Sequence, residues 1–587
     1  MFAAVRSCGA SDGVSEACSV RAVQVGAPEN GGEDVNAPEK WDHEVDVVVL
    51  GSGASGLVAA IAAADAGAKV AVFERADKVG GTSATSGGIV WVPNNPHQAQ
   101  HGVQDSRESA LAYLGSLSLG VMDMELATAY IDRGPEMIRY LETHTPLRFH
   151  LAEGYPDYHP EHPGGLAQGG RSLDPDLFAF SALGEWAARV NRQATDLHPQ
   201  APVVPITLSE SMRSGMPSRD ELARRSSLDM RGMGQALVGT LLKGCLDRGL
   251  LLQLNTRAHE LVLDGNAVIG VRAEAAGANV FIKARNGVIL ATGGFEWNAA
   301  LVKAFLRGPL IGPASPPENE GDALLMAMEA GAQLANMSEA WWMPTIPIPG
   351  DSVRGKPLYR LCLTERTLPG SLLVNRKAVR FVNEAANYND IGRAFHNFDP
   401  NHFGFLNSES WLIFDDAFFR KYPVAGFRQG DNTPNDLIRS AVSIAALAQQ
   451  LALPPAVLEA TVARFNEYAA LGKDPDFARG ESAYDTYNGD RTLPAPFATL
   501  GVLQRAPFHA VKVVSGALGT KGGPKTNVHA QVLDPRGRVI RGLYAVGNAM
   551  AGATGMVYGG AGGTLGPGMT YGYIAGLAAA SGRNTVA

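Results

Sequence analysis

The sequence predicts an α/β fold: a parallel, doubly wound sheet assembled from both ends of the chain, with an α+β domain inserted between them. Three observations predict it. The run 45–50 is rich in β-branched residues; it meets a glycine turn, an alanine-rich stretch at 57–66 and a second strand at 69–73, which together make a complete βαβ unit. Glycine is in excess, at 68 of 587 residues, about 12% against a usual ~7%. Its excess gathers at a few turns instead of repeating, as backbone pressed against a bulky ligand requires. Two further strands also run into glycines, GVILATGGF ending at Phe295 and GLYAVGNAMAG around Gly547.

Composition narrows the function. Basic residues number 50 and acidic residues 58, a net charge of −8, so the basic face that nucleic acid needs is not expected. Hydrophobic residues at 45% and charged residues at 18% support a large core and exclude global disorder. The four cysteines, Cys8, Cys18, Cys245 and Cys362, form no CxxC. Zinc ribbons, iron–sulfur clusters and attached haem are therefore unsupported, no metal is expected, and a reducing cytoplasm is the expected setting. There is no apolar run of 18 residues, so no spanning helix is expected, which leaves peripheral membrane contact open. The opening MFAAVRSCGASDGVSEACSV lacks a continuous apolar stretch, so no secretory signal is expected.

Along the chain, residues 1–42 read as a disordered tail and 43–312 as the first part of the Rossmann-like nucleotide-binding domain. This part carries insertions at about 100–230: the loop EGYPDYHPEHPGG and a long polar stretch, 196–228, which reads as a lid or cap. Residues 250–295 read as strand, hairpin, strand. Residues 313–500 change character, with many aromatics and a long helical segment at 436–470, and form the substrate-capping catalytic domain. Residues 501–587 return to the nucleotide-binding domain.

The cofactor residues follow from the βαβ unit. Gly51, Gly53 and Gly56, with Ala54 and Ser55 between them, form GxGxxG between strand and helix. The first glycine makes the tight turn, the second lets a pyrophosphate approach, and the third lets the helix pack on the sheet. Glu74 ends the second strand eighteen residues after Gly56, with Arg75 beside it, where a carboxylate accepts from ribose hydroxyls. A second flexible loop follows at once and carries Gly81, Thr82, Ser83, Gly87 and Gly88. A nicotinamide dinucleotide has no need of it there. A flavin does, because its ribityl chain and isoalloxazine continue past the pyrophosphate. Gly293, Gly294, Gly547 and Asn548 end later strands in the manner of two-dinucleotide-fold flavoproteins, and Thr564 and Leu565 complete the set. FAD is the expected cofactor.

From about residue 44 to the end, the chain resembles the flavoprotein superfamily of succinate dehydrogenase and fumarate reductase. Within it, the chain is similar to the 3-ketosteroid Δ1-dehydrogenases. The stretches that carry the resemblance are GGTSATSGGIVWVPNN, YPDYHPEHPGG, EAWWMP, VNRKAVRFVNEAANYNDIGRAFH, APFHAVKVVSGALGTKGG and VYGGAGGTLGPGM. The superfamily's flavin-attaching His-Thr corresponds to Gly81-Thr82, which implies non-covalent FAD. The resemblance also implies catalytic roles. Tyr558 and Gly562 clamp the substrate carbonyl, Tyr388 abstracts the α-proton, and Tyr158 hydrogen-bonds that base. A phenol and a backbone N–H make an oxyanion pair for the forming enolate, and a tyrosine base needs tuning from its ordinary pKa near 10. The implied reaction is desaturation of a cyclic ketone, foremost 3-ketosteroid 1,2-dehydrogenation, with an external acceptor such as a quinone.

Two departures stand out. Gly559 stands where ketosteroid enzymes commonly show proline, which is expected to loosen that loop, and 196–228 is long. The expected apolar wall includes Trp341, Trp342 and Met343. His159, His162, His396 and His509 read as structural, with His509 expected to hold the cofactor-side loop. Three alternatives stay open. A smaller, cyclohexanone-like ketone would use the same tyrosines. A fumarate-reductase-like enoate reductase would need a histidine and an arginine where Thr554 and Tyr558 stand. A non-catalytic flavin subunit would not need three tyrosines.

Overall fold

The computed structural model describes residues 38–191 and 205–582. The expected tail up to residue 37, and the start of the 196–228 segment up to 204, lie outside them. Residues 38–42 do not share the character expected of a tail. Asp42 N donates to Phe281 O at 2.8 Å, the Asp42 carboxylate accepts from Phe281 N at 2.9 Å, and the Trp41 ring packs on Gly270.

The first sheet is built on the strand His43–Leu50, whose Val47, Val48 and Val49 are fully buried, as a strand covered on both faces requires. It pairs in parallel with Val70–Phe73 on one side and Ala278–Leu290 on the other. Leu251–Gln253 and Val539–Ala545 extend the two flanks, also in parallel. In space the third strand of this set lies outside the second, then come the first, fourth and fifth, which is the order of a doubly wound nucleotide-binding sheet. The fifth strand comes from the far end of the chain. The hairpin Thr256–Asp264 and Ala267–Ala275 adds to the sheet in antiparallel fashion.

The helix Ala54–Asp65 lies against the C-terminal helix Leu565–Ala580. Glycines four residues apart allow the close approach: a Cβ at Gly572 would sit 2.4 Å from Ser55 O, and one at Gly576 2.4 Å from Ala59 O. The constant offset means that the two helices run parallel, so both N-termini open at the same end of the sheet.

The second, seven-stranded sheet centres on two long antiparallel strands, Ala340–Val353 and Phe508–Thr520, flanked by Lys356–Leu361, Glu409–Asp415 and Ser371–Val374. The return to the first sheet therefore comes later than residue 501, at Gln531–Leu533. His509 sits inside this second sheet, bonded to Ser440 and stacked on Phe414, away from any cofactor loop. The expected helix at 436–470 divides into the strand Ile438–Ala441 and the helices Ile444–Gln450 and Pro455–Leu471. Pro454 and Pro455 enforce the break, since proline opens a helix but cannot continue one. Among the described residues no helix is long and apolar enough to cross a membrane.

Candidate active site

The expected cofactor residues converge at the open ends of the two parallel helices. Gly51 holds a φ of +106°, and a Cβ there would sit 2.4 Å from Ala291 O; at Gly56 it would sit 2.2 Å from Gly51 O. At Gly53 it would meet Ser83 Oγ at 3.5 Å and nothing closer, so this glycine faces open space. Neither Gly53 nor Thr564 caps its helix with its own side chain, and the N-terminal ends of the two helices, positive by their dipoles, lie beside that space. Ser83 Oγ accepts from Ala54 N at 3.0 Å, and Gly547 lies against Ser55. A small cleft is lined by Gly547, Asn548, Thr564 and Gly568 together with Trp341 and Lys521. This donor set and the glycine cradle fit a dinucleotide whose phosphates meet the helix ends.

The remaining expected cofactor residues are placed as follows. Glu74 is buried and accepts from Ser52 N at 3.0 Å and Ser52 Oγ at 2.7 Å. Ser52 Oγ in turn accepts from Gly80 N, which ties the first glycine loop to the second. Arg75 turns away to Glu320 and Asp322. Thr82 Oγ1 accepts from Asn319, whose side chain also touches Gly293. Gly294 abuts Thr520 and Glu296. Gly81, Gly87 and Gly88 line the turn from Gly81–Thr85 into Val90–Trp91, with Leu208 of the 196–228 segment against Gly87. Leu565 opens the C-terminal helix.

The three tyrosines expected to be catalytic meet in one hydrogen-bonded chain. Tyr158 Oη donates to Tyr388 Oη at 2.9 Å, and Tyr388 Oη to Tyr558 Oη at 2.8 Å. Thr564 Oγ1 also donates to Tyr558 Oη, at 3.3 Å. All three phenols are buried. Burial lifts Tyr388 and Tyr158 well above the ordinary phenol pKa and raises Tyr558 less, because Thr564, Tyr388 and Tyr158 hydrogen-bond to it.

Each tyrosine is held by a different element. Tyr388 is the first residue of the short helix Tyr388–Ala394, capped by Asn387, whose side chain accepts from Asp390 N. Tyr158 lies in a loop anchored by Asp157, which accepts from Trp91 Nε1 at 2.8 Å, Arg171 at 2.7 Å and Leu166 N at 3.0 Å. Tyr558 stands on the glycine loop, and the Trp91 ring lies directly under Gly559 and Gly560. Gly562 has a φ of +95°, and a Cβ there would sit 2.5 Å from Trp91 N, so only glycine fits.

The loop is pinned, contrary to the loosening expected from Gly559. Gly559 O accepts from Tyr158 N at 3.0 Å and from Tyr113 Oη at 2.7 Å. A second link joins the loop of Tyr158 to the helix of Tyr388: His159 Nε2 lies 2.7 Å from the Asp390 carboxylate. Burial opposes the charged imidazole, yet the Asp390 hydrogen bond and charge hold the His159 pKa above its ordinary value. Burial likewise opposes the Asp390 carboxylate, but His159 holds it far below the usual range. His159 is thus part of the site's frame.

The wall differs from expectation in one residue. Side chains alternate along a strand, so Trp341 and Met343 face the tyrosines while Trp342 points the other way, onto His396 at 4.3 Å. Trp341 packs edge-on against Tyr558 at 4.8 Å and donates to Asn548 at 2.9 Å.

Sequence reasoning missed four contributors. Tyr155, Tyr484 and, at the edge, Tyr487 join the aromatic cluster. Lys521 is fully buried, donates to Met556 O at 2.9 Å and Val557 O at 3.2 Å, and lies 3.9 Å over the Trp341 ring. Burial pushes its pKa far down. The lysine in GALGTKGG carried no signal of its own; an apolar strand ending in an isolated lysine is the pattern that could have marked it.

Residues 46–565 match the family described as FAD binding domain. Over 90% of this chain and 92% of the relative, it is 41% identical to 4-oxocyclohexanecarboxylate 2-dehydrogenase of Sinomonas cyclohexanicum. It is 39% identical to 3-oxosteroid 1-dehydrogenase of Mycobacterium tuberculosis, over 91% of this chain and 98% of that one. The crystal structure of 3-ketosteroid delta1-dehydrogenase from Sterolibacterium denitrificans, in complex with 1,4-androstadiene-3,17-dione, superposes with a TM-score of 0.85 at 34% identity, over 92% of this chain and all of that one.

Proposed function

This chain belongs to the FAD binding domain family and is an FAD-dependent oxidoreductase of the 3-oxosteroid 1-dehydrogenase type, and from that premise we propose that it desaturates a ring ketone next to its carbonyl, foremost a 3-ketosteroid at C1–C2. The observation that carries the proposal is the three-phenol chain, with hydroxyls 2.9 and 2.8 Å apart. The Tyr558 hydroxyl and the Gly562 N–H hold the carbonyl oxygen and stabilise the charge that gathers on it. Tyr388 takes the α-proton at its phenolic oxygen, and Tyr158 donates a hydrogen bond to that oxygen. Gly53, the two helix ends, Ser83 and Glu74 hold the dinucleotide, and bound FAD supplies a hydride acceptor for the β-hydrogen. Trp341, Met343 and the neighbouring apolar side chains exclude water from the reacting carbons. A quinone-like external acceptor then takes the electrons, in the cytoplasm.

A second reading, a smaller cyclic ketone with the same mechanism, is favoured by the relative that acts on 4-oxocyclohexanecarboxylate and by the tyrosine-rich lining. The enoate-reductase reading lacks its arginine, since Tyr558 stands at that position. Anaerobic mixing with 4-androstene-3,17-dione or cyclohexanone is expected to bleach the flavin absorbance. Tyr558→Phe is expected to slow that bleaching ~10²–10³-fold, about 3–4 kcal/mol, with FAD still bound. Near-normal bleaching in Tyr558→Phe would refute the carbonyl clamp, and reduction of fumarate with no action on either ketone would refute the whole reading.

A further inference from the structure

The hydroxyls of Tyr388 and Tyr558 meet at 2.8 Å, although 170 residues separate them in the chain. Tyr388 opens a helix of seven residues, and Tyr558 stands on a loop of glycines. Neither element fixes that distance by itself, since so short a helix is marginal alone and glycine leaves the backbone free. The loop is held at the backbone just ahead of Tyr558. Met556 O accepts from Arg393 Nη2 at 2.6 Å and from Lys521 Nζ at 2.9 Å, and Val557 O accepts from the same Nζ at 3.2 Å. Both lone pairs of Met556 O are thereby in use.

The two donors come from elements that the site has to align. Arg393 is in the last turn of the helix that Tyr388 begins. Lys521 follows the strand Phe508–Thr520, and its main chain holds the other end of the loop, where Gly552 N donates to Lys521 O at 3.0 Å. Glu339 ties the donors together. Its carboxylate accepts from Arg393 Nη2 at 2.9 Å and lies 2.8 Å from Arg307 Nη2, while its backbone O accepts from Lys521 N at 2.9 Å. Glu339 directly precedes the strand Ala340–Val353, which carries Trp341 and Met343. The bonds form a closed circuit, from Glu339 to Arg393, Met556, Lys521 and back, through the wall strand, the helix of Tyr388 and the loop of Tyr558. Glu339 is 6% exposed and Lys521 1%. Burying a carboxylate and an amine is costly unless their polar atoms are bonded, and here the bonds converge on the one backbone stretch that places the Tyr558 hydroxyl.

We propose that Lys521 and Arg393 are positioning residues for the carbonyl clamp: holding Met556 O from two sides, with Glu339 as their common anchor, they set the place of the Tyr558 hydroxyl relative to Tyr388. The inference rests on the reading of Tyr558 as that clamp. Neither side chain acts on the ketone directly; each acts through Tyr558. The placement matters because a donor aimed at a forming oxyanion loses most of its effect when displaced by about 1 Å.

The test is a pair of double-mutant cycles. Arg393→Met and Lys521→Met, which keep an unbranched side chain and remove the donors, are each made in the wild-type chain and in Tyr558→Phe. kcat and KM are measured on the FAD-loaded enzymes with whichever of 4-androstene-3,17-dione and cyclohexanone the wild type turns over. In each single variant kcat is expected to fall ~10–100-fold with KM little changed. In the Tyr558→Phe background the same substitution is expected to cost less than about twofold, because the hydroxyl that transmits its effect is already gone. Lys521 lines the cofactor cleft and Arg393 does not, so bound flavin is read from the absorbance of every variant, and where Lys521→Met loses FAD the Arg393 cycle decides. Where Arg393→Met does not fold, Glu339→Gln takes its place: it loosens the same guanidinium, keeps the side-chain shape and is expected to show the same dependence on Tyr558. Equal losses in the two backgrounds, or an unchanged kcat in the single variants, overturn the positioning role and leave the clamp intact. Near-normal turnover in Tyr558→Phe alone overturns both.

Discussion

The tension within the site lies in Tyr388, a proposed base whose pKa burial lifts well above its ordinary value. A base of that kind is strong once ionised and rarely ionised near neutrality. The rate of flavin reduction is therefore expected to rise with pH through the neutral range and to keep rising toward pH ~10, the ordinary phenol pKa. A plateau below pH 8 would show a different base. Tyr388→Phe is expected to stop exchange of the substrate α-hydrogen with deuterated solvent as well as flavin reduction. Tyr158→Phe removes only the hydrogen bond donated to Tyr388 and is expected to cost about tenfold; a larger loss than in Tyr388→Phe reverses the two roles. These tyrosines were singled out by the family resemblance, on motifs of glycines, Pro-Asp and Asn, and not by any local signal of their own. Tyr484, Tyr155 and Lys521 were not, because what brings them to the site is tertiary packing: each looks like an ordinary core residue within its own segment.

At the level of elements, the site depends on joints between segments far apart in sequence, and the His159–Asp390 pair is one whose pH dependence has a definite sign. His159 has its pKa raised in the folded protein, so the stabilisation it contributes is present at lower pH and is lost as pH rises through that raised value. Asp390 has its pKa lowered, so its contribution is present above the ordinary carboxylate value and lost only in strong acid. Asp390→Asn is therefore expected to lower the thermal midpoint most at pH 5–6, near the ordinary histidine pKa of about 6.5, and least in alkali; a pH-independent difference would remove the pair as a joint. The elements themselves were legible to different degrees. The βαβ unit is written in local sequence, β-branched run, glycines and alanine helix alike. The division of 436–470 turned on two adjacent prolines, a stronger local signal than the helical periodicity around them. Phe508–Thr520 could not be assigned to the second sheet from its own residues, because an apolar strand reads alike in either sheet and its partners, Ala340–Val353 and Glu409–Asp415, lie about a hundred residues or more away. Trp342 shows the same limit: EAWWMP marks a wall, and only the strand's alternation decides which tryptophan forms it.

For the whole molecule, the dinucleotide cradle joins parts that the chain supplies separately. Gly51 to Gly56 and Ser83 come from its first part, while Gly547, Asn548 and the helix Leu565–Ala580 come from its last. Trp341 reaches in from the second sheet and is bonded to Asn548. A ligand seated there would touch segments from both ends of the chain, close to the tyrosine loop, in which Tyr558 stands seven residues before the first residue of the C-terminal helix. Ligand that binds the folded chain alone stabilises it by mass action, about 2.7 kcal/mol at a free concentration one hundred times Kd. The thermal midpoint is therefore expected to climb with the logarithm of added FAD and to fall when the flavin is stripped. Since Gly81-Thr82 offers no histidine for attachment, acid precipitation is expected to leave yellow FAD in the supernatant; flavin carried down with the polypeptide would show a covalent link. Gly53→Val supplies the control. The position faces open space, with Ser83 Oγ 3.5 Å from where a Cβ would stand, so the branched side chain is tolerated by the protein and collides only with what the cradle holds. The variant is expected to fold with the midpoint of stripped wild-type protein and to show no response to added FAD. A variant that still gains stability with FAD would mean that the phosphates lie elsewhere than at the ends of the two parallel helices.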